Sequence, residues 1–299
     1  MRLIECADRA EWLKVRREGI GGSDAPAIMR LSPWSNPVEL FQEKLGLADA
    51  KEETGPMRWG NLLEPVIRAQ FSEESGMSVT YPGPYVIAVN DRDDFVRASL
   101  DGTVTHPEHG QCVLQIKTAH AASKDGWEEE VPAVYYAQVQ HEMLATGLNA
   151  AVIPVLFGGN DLQWYTVLRN QAFQEVMLHQ EAEFWRCVTN QEPPSPVSDD
   201  EMASLARTML KVEKGKTVQL APSWFTRHQE YLAVKAEAKR LAEEAKKFRN
   251  ELIVEAGDAE VVEFAGVQYK IGLVNKKPHM VKAQSYRVVR QVGEKDGDE

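Results

Sequence analysis

Two short stretches decide the reading of this chain. They are Ser99-Leu100-Asp101-Gly102 and, after a turn at Pro107-Glu108-His109-Gly110, Cys112-Val113-Leu114-Gln115-Ile116-Lys117-Thr118. The second alternates with the period of a strand. Val113, Gln115 and Lys117 share one face, and Cys112, Leu114 and Ile116 point to the other. An amide and a lysine thus project side by side from a strand otherwise built for burial. A hairpin-like return from Asp101 brings its carboxylate beside them. An acid on one strand and a polar-x-Lys pair on the next suit metal-dependent phosphodiester hydrolysis. Oxygen ligands hold Mg2+, the lysine orients or helps deprotonate the attacking water, and the metal stabilises the pentavalent phosphate. Taken singly, Asp101-Gly102 reads as a turn and Lys117 as a solvated strand residue.

Working outward, residues 8–17 form a short helix, broken by Gly19, Gly21 and Gly22. Ser23 caps a helix near Asp24–Leu31, and Pro37 starts another that ends before Gly46. Pro56 opens a longer helix to about Glu74, with Trp59, Leu63, Val66, Ile67 and Phe71 at helical spacing. Strands follow near 84–89, 95–104 and 112–118. Pro132 begins a helix to Thr146. A hairpin over 151–157 and 162–168 turns at Gly158-Gly159-Asn160-Asp161, before a helix over 171–189. Helices around a small antiparallel core make a mixed α/β layer fold.

Gln191-Glu192-Pro193-Pro194-Ser195-Pro196 breaks both periods. The expected organisation is a domain over 1–192, a linker with a short helix over 193–222, and a C-terminal part over 223–299. That last part holds a long helix over about Ser223–Glu255 and a β-rich tail. In the helix Tyr231, Val234, Ala238, Leu241, Ala245, Phe248 and Leu252 step by three and four. A seam of this kind fits a helix lying on its own domain or an intermolecular coiled coil. In the tail, Val261–Phe264 and Val267–Leu273 flank a turn, with a last strand near Ser285–Val292.

A length of 299 residues with 43% hydrophobic content supports a real core and excludes wholesale disorder. No run of eighteen apolar residues is present and the start lacks a signal-peptide core, so neither a membrane partner nor secretion is expected. Cys6, Cys112 and Cys187 are widely spaced, which speaks against a disulfide framework or a zinc site and for a cytoplasmic protein. The net charge of −11 opposes a broad nucleic-acid surface. Residues 1–190 carry 16 Lys+Arg against 27 Asp+Glu, so all of the excess lies there. Any contact with DNA must then be local. The stretch Phe264–Val292 has six basic residues and no acidic one, interleaved with Tyr269 and Tyr286, and reads equally as a solvated tail or a second DNA contact.

Several ordered blocks resemble the phage lambda-type exonuclease family, the YqaJ-like viral recombinases, within the PD-(D/E)xK nuclease superfamily. They are Trp12-x3-Arg16 with Gly19-Ile20 and Ser23, Trp59-Gly60-x3-Glu64, Ser99-x-Asp101-Gly102, Gln115-x-Lys117, and Ala137-Gln138-Val139-Gln140. The resemblance spans roughly residues 10–190. It implies a restriction-endonuclease-like core, a mixed β-sheet flanked by helices, with the long helix and small β-rich tail appended. It implies a Mg2+-dependent 5′-to-3′ exonuclease on double-stranded DNA ends that leaves 3′ overhangs for recombination. Two ions are implied, with Mn2+ as a substitute. A homotrimer, a single-strand annealing protein as partner, and a phage or prophage origin in a bacterial host are implied as well. Asp101, position 115, the Ile116 carbonyl and Glu64 would hold metal, with Lys117 as the catalytic lysine. Arg16, Ser23, Ser99, Gln138 and Gln140 would hold the 5′-phosphate and nearby backbone.

One position departs from the pattern: Gln115 stands where the family places Glu or Asp. An amide oxygen is a weaker ligand for a hard cation than a carboxylate. The site as written is therefore expected to bind Mg2+ weakly and cleave slowly or not at all. A designed isosteric change and a natural variant both fit, and the retained Asp101, Lys117 and Glu64 favour the first. A structure- or site-specific endonuclease and a non-catalytic DNA-end scaffold are the alternatives.

Overall fold

In the computed structural model, which describes residues 1–48, 54–128, 130–208 and 217–271, the chain divides into Met1–Lys211 and Val212–Glu299. The first unit runs β1 (Arg2–Glu5), α1 (Arg9–Arg17), α2 (Ala25–Ile28), α3 (Pro37–Lys44), α4 (Gly55–Ser75), β2 (Ser78–Thr80), β3 (Val86–Val89), β4 (Arg97–Ala98) and β5 (Gly102–His106). It continues with β6 (Gly110–Leu114), β7 (Lys117–Ala119), α5 (Asp125–Glu128), α6 (Ala133–Thr146), β8 (Ala150–Phe157), β9 (Asp161–Leu168), α7 (Gln171–Asn190) and α8 (Asp199–Thr208). Side chains set most helix starts. Asp8, Asn36, Thr54 and Asn170 each accept a backbone N–H in the first turn of α1, α3, α4 and α7. Gly76 and Gly147 end α4 and α6 at φ 68° and 78°. The cap of α2 is corrected: Asp24, not Ser23, occupies that position.

The expected strand at 112–118 is one strand with a gap. Val113 pairs Ala151 and Lys117 pairs Val155, both parallel to β8 and in a single register. Gln115 still donates its N–H to Val152 O at 3.0 Å. The next donor of that ladder would be residue 154, a proline with no N–H, so the pairing opens at Gln115–Ile116. The order is β2-β5-β6/β7-β8-β9, with β2, β5 and β9 antiparallel to their neighbours. The core sheet is therefore mixed, as the family resemblance implies, rather than the antiparallel core that the strand pattern suggests, because α6 crosses over to bring β8 alongside β6. A second antiparallel sheet, β1-β3-β4, lies beside it.

Both faces of the central sheet are covered. Val113, Ala151, Ile153, Val155 and Phe157 pack with Val139 and Met143 of α6 and with Trp127. Cys112, Leu114, Ile116, Ala150 and Val152 pack on the other side with Ile67 and Phe71 of α4. Hence β8 reads as a continuous apolar run. Trp59 and Val66, expected on the apolar face of α4, are 62% and 61% exposed. A third cluster joins Ile20 and Ile28 to Phe41 of α3 and Phe184 of α7.

The expected linker helix belongs to this unit. Glu201 of α8 pairs with Arg30, and Ser204 donates to Gln42 Oε1 at 3.1 Å. The first unit thus runs on past residue 192.

In the second unit α9 (Ser223–Ala256) buries none of its residues. It is followed by the hairpin β10 (Val261–Phe264) and β11 (Val267–Lys270). Ala265 and Gly266 turn it at φ 48° and 77°, matching strand twist. Tyr269 contacts the rings of Phe248 and Phe264 at 6.2 and 5.8 Å. The last strand expected near Ser285–Val292, and Lys276, Lys277, Lys282, Arg287 and Arg290, lie outside the described residues. Among the described residues no helix is long and apolar enough to cross a membrane.

Candidate active site

The gap in the central strand is where polar groups converge. β5 ends its pairing at Gly102–Leu114, so the N–H of Ile116 has no strand partner on that side. Asp101 supplies one: its Oδ2 accepts Ile116 N–H at 2.7 Å and Gln115 Nε2 at 2.6 Å. The expected juxtaposition of Asp101 and Gln115 is therefore present. Gln115 is only 5% exposed, since α6 covers the face it points to. Lys117 lies over the Tyr135 ring at 5.4 Å, near enough to act electrostatically on Asp101, Glu64 and Glu142.

Asp101 and Gln115 line one wall of a cleft of about 760 Å³. Glu64 lies half-buried in it, paired with Arg68. Arg68 also donates to Asp101 O at 3.0 Å and stacks on Tyr81 at 3.8 Å. The other wall is cationic and hydroxylic. Arg16 stacks on Trp12 at 4.6 Å and donates to Ser23 Oγ at 3.3 Å, and Trp12 Nε1 donates to Ser99 Oγ at 3.2 Å. Arg16, Ser23, Ser99 and Gln138 all line the cleft.

Gln140 does not join them. It is fully buried, donating to Leu168 O at 2.8 Å and accepting from Asn170 N and Gln174 Nε2. Its place as a DNA contact is corrected to a brace between α6, β9 and α7. Gln138, on the opposite face of α6, donates to Glu142 Oε1 at 2.9 Å.

Glu142 was not anticipated. It is 1% exposed and its carboxyl is pushed up to about 8, by burial first and then by Asp101, against weaker opposition from Gln138, Lys117 and His141. Burial raises Asp101 as well, against the pull of Lys117. It also raises Glu64, with help from Asp101. Asp101 thus repels both Glu64 and Glu142, and this crowding of carboxyl groups leaves the site short of positive charge. Gln115 Oε1 and Glu142 Oε2 are buried and have no hydrogen-bond partner. Such oxygens suit a hard divalent cation. Among the described residues no three His, Cys, Asp or Glu side chains form a metal cage by themselves, so any cation here would need amide or carbonyl oxygens, such as those of Gln115 and Ile116, as further ligands.

The second wall is held by buried charge. Asp24 Oδ2 accepts Gly21 N at 2.8 Å and pairs with Lys44 at 2.5 Å, which also donates to Arg16 O at 3.2 Å. Ile20 bridges Val96, fixing the loop to the small sheet. Behind it His141 Nδ1 meets Glu181 at 2.6 Å, and its Nε2 meets Ile20 O and Arg97 O at 3.1 and 2.9 Å. With partners that only accept, both ring nitrogens donate. Burial opposes that charge, but Glu181 overcomes it and raises His141 to about 9. A pKa raised above the unfolded 6.5 gives stability that is complete below 6.5 and lost as pH rises through about 9. Urea unfolding in EDTA at pH 7 and pH 9.5 is expected to differ by on the order of 3 kcal/mol. The raised Glu142 carboxyl adds to the fall, and Glu142→Gln removes that part. A flat profile would mean that His141 is neutral in the fold.

Comparisons with known proteins agree with this architecture. Residues 11–149 match the YqaJ-like viral recombinase domain. A crystal structure of an alkaline exonuclease (LHK-Exo) from Laribacter hongkongensis is similar over 61% of this chain and 94% of its own, at 19% identity and a TM-score of 0.50. A phage related exonuclease from Haemophilus somnus 129PT aligns over 58% of this chain and 94% of its own, at 13% identity and a TM-score of 0.42. The uncharacterized protein YqaJ of Bacillus subtilis (strain 168) is 31% identical over 258 residues, 84% of this chain and 79% of that protein. On that identity and span, the chain belongs to the YqaJ-like viral recombinase family.

Proposed function

We propose that this protein is a Mg2+-dependent nuclease that degrades double-stranded DNA from its 5′ ends, leaving 3′ overhangs for recombination. The observation that carries this reading is the interrupted strand. Asp101, Gln115 and Ile116 meet at a gap in the sheet, and Asp101 and Gln115 share a cleft with Arg16, Ser23 and Ser99. The similar Laribacter protein, an alkaline exonuclease, and the family membership support it.

Each wall has its task. Arg16 supplies a fork of N–H donors and Ser23 and Ser99 supply hydroxyls, a set suited to a terminal phosphate. Trp12 holds Arg16 flat by stacking and pins Ser99 by its indole N–H. Lys117 Nζ orients the attacking water and helps to take its proton. Asp101 would hold a divalent cation, which when bound would supply charge stabilisation at the attacked phosphate. Arg68 keeps Glu64 turned toward the cleft and tethers the Asp101 backbone. With an acidic chain overall, DNA is gripped at these few donors, so binding weakens only shallowly with salt.

Linear duplexes with and without a 5′-phosphate test the assignment of the second wall. The phosphorylated end is expected to be digested faster, and Arg16→Ala to erase the difference, at a cost of roughly tenfold. Equal rates on both ends with the unaltered protein would remove Arg16 and Ser23 from the end-reading role. Binding of ends without cleavage would favour the non-catalytic scaffold that Gln115 suggests.

A further inference from the structure

Resting on the reading of the cleft as a nuclease centre, we propose that Glu142 is the second carboxylate of that centre, replacing from α6 the carboxylate that Gln115 lacks on the strand, and that a divalent cation beside Asp101 takes an oxygen of Glu142 as ligand. Position 115 then needs no acid, and the chain as it stands is competent to bind the ion.

Four observations converge on Glu142. It lines the same cleft as Asp101 and Gln115 and interacts electrostatically with both Asp101 and Lys117. Its side chain is fixed: Gln138, one helical turn earlier, donates to Oε1 at 2.9 Å. The second oxygen, Oε2, is buried with no hydrogen-bond partner, and so is Gln115 Oε1. A buried carboxyl oxygen without a hydrogen-bond partner is costly. A glutamine or a leucine would serve a purely structural role at lower cost. Lastly, the main chain opposite makes room for it. A Cβ at Gly22 would lie 2.5 Å from Glu142 Oε1 and 2.8 Å from its Cγ, so the carboxylate reaches the cleft only because residue 22 has no side chain. The same glycine loop carries Ser23, which ties the placement of the carboxylate to that of the phosphate donors.

The substitution at 115 and the acid at 142 are thus one exchange. The strand keeps an amide that donates to Asp101 Oδ2 at 2.6 Å, which a carboxylate could not do, and the helix supplies the charge. A natural variant with a relocated acid accounts for both residues.

The test reads metal binding rather than cleavage. Mn2+ binding to the full-length chain is measured by the electron paramagnetic resonance signal of the free ion, alongside the thermal shift produced by Mg2+. Glu142→Gln is expected to weaken Mn2+ binding by at least roughly tenfold and to abolish the Mg2+ shift. Its melting temperature in EDTA should be equal to or above that of the unaltered protein. The exchange Gln115→Glu/Glu142→Gln is expected to recover Mn2+ affinity to within about threefold, the outcome a merely structural Glu142 would not give. Should Glu142→Gln fail to fold, Glu142→Asp keeps the charge on a shorter arm and is expected to bind Mn2+ with intermediate affinity. If Glu142→Gln (or the Asp variant in its stead) binds Mn2+ as the unaltered protein does while Asp101→Asn does not, the role of Glu142 is overturned and the centre at Asp101 stands. If Asp101→Asn also binds normally, or the unaltered protein takes no Mn2+, the nuclease reading itself falls.

Discussion

Asp101→Asn is expected to slow digestion of linear duplex DNA by roughly a thousandfold, the scale on which one preorganised charge-stabilising group acts. The same substitution should leave metal-free stability unchanged or higher. Asparagine keeps an acceptor for the N–H of Ile116, which Asp101 receives at 2.7 Å. It also removes a charge that burial disfavours and that repels Glu64 and Glu142. Activity assays paired with urea unfolding in EDTA check both halves. A variant that loses activity and stability together would mark Asp101 as a hairpin brace, since the Asp101-Gly102 turn would then matter only for the fold.

The second large effect is on folding. Lys44 and Asp24 have side chains only 5% and 10% exposed, and each is the other's counter-charge. Burial opposes the Asp24 charge, but Lys44 and then Arg16 hold its carboxyl below the usual range. Asp24→Ala leaves a buried ammonium unpaired and is expected to cost about 3–5 kcal/mol, a large part of the stability of an ordinary domain. Asp24→Leu combined with Lys44→Met should recover most of it. A depressed carboxyl pKa gives stability that is present above the unfolded value of 3.8 and lost as pH falls through the lower folded value. Chemical denaturation at pH 7 and pH 3 checks both statements. A loss below 1 kcal/mol for Asp24→Ala would show that Lys44 finds water or another partner. The functional consequence is specific: Gly21 loses its acceptor, the Gly21–Ser23 loop loosens, and KM for DNA ends should rise more than kcat falls.

Much of the site was legible because it is local. The alternation over 112–118 and the hairpin back to Asp101 follow from strand geometry, and Asp101, Gln115 and Lys117 come together as that geometry requires. The gap at Gln115–Ile116 was not legible, because its cause is Pro154, almost forty residues away and opposite only once β8 is in register. Gln138 and Gln140 could not be separated from the block Ala137–Gln140 alone. Two residues apart on a helix, they face opposite ways, and only the position of Leu168 and Asn170 decides that Gln140 is the buried one. Glu142 did leave a signal, an acid one turn after Gln138 and on its face, but an i,i+4 Gln–Glu pair is common on solvated helices. Ser23 looked like an N-cap because Ser favours that position; the neighbouring Asp24 takes it, freeing the Ser23 hydroxyl for Arg16. β1, β2 and α5 are three or four residues long and carry no period to read.

The central claim is that this cleft cuts DNA from its 5′ ends using a divalent cation. Linear duplex labelled at the 5′ end, the same duplex labelled at the 3′ end, and a covalently closed circle, each incubated with the protein in Mg2+ and in EDTA, test it most directly. The account predicts early release of the 5′ label as mononucleotide in Mg2+ only, a 3′ label retained on long single strands, and an intact circle. Cutting of the circle, early loss of the 3′ label, or no digestion of any substrate in Mg2+ would contradict it.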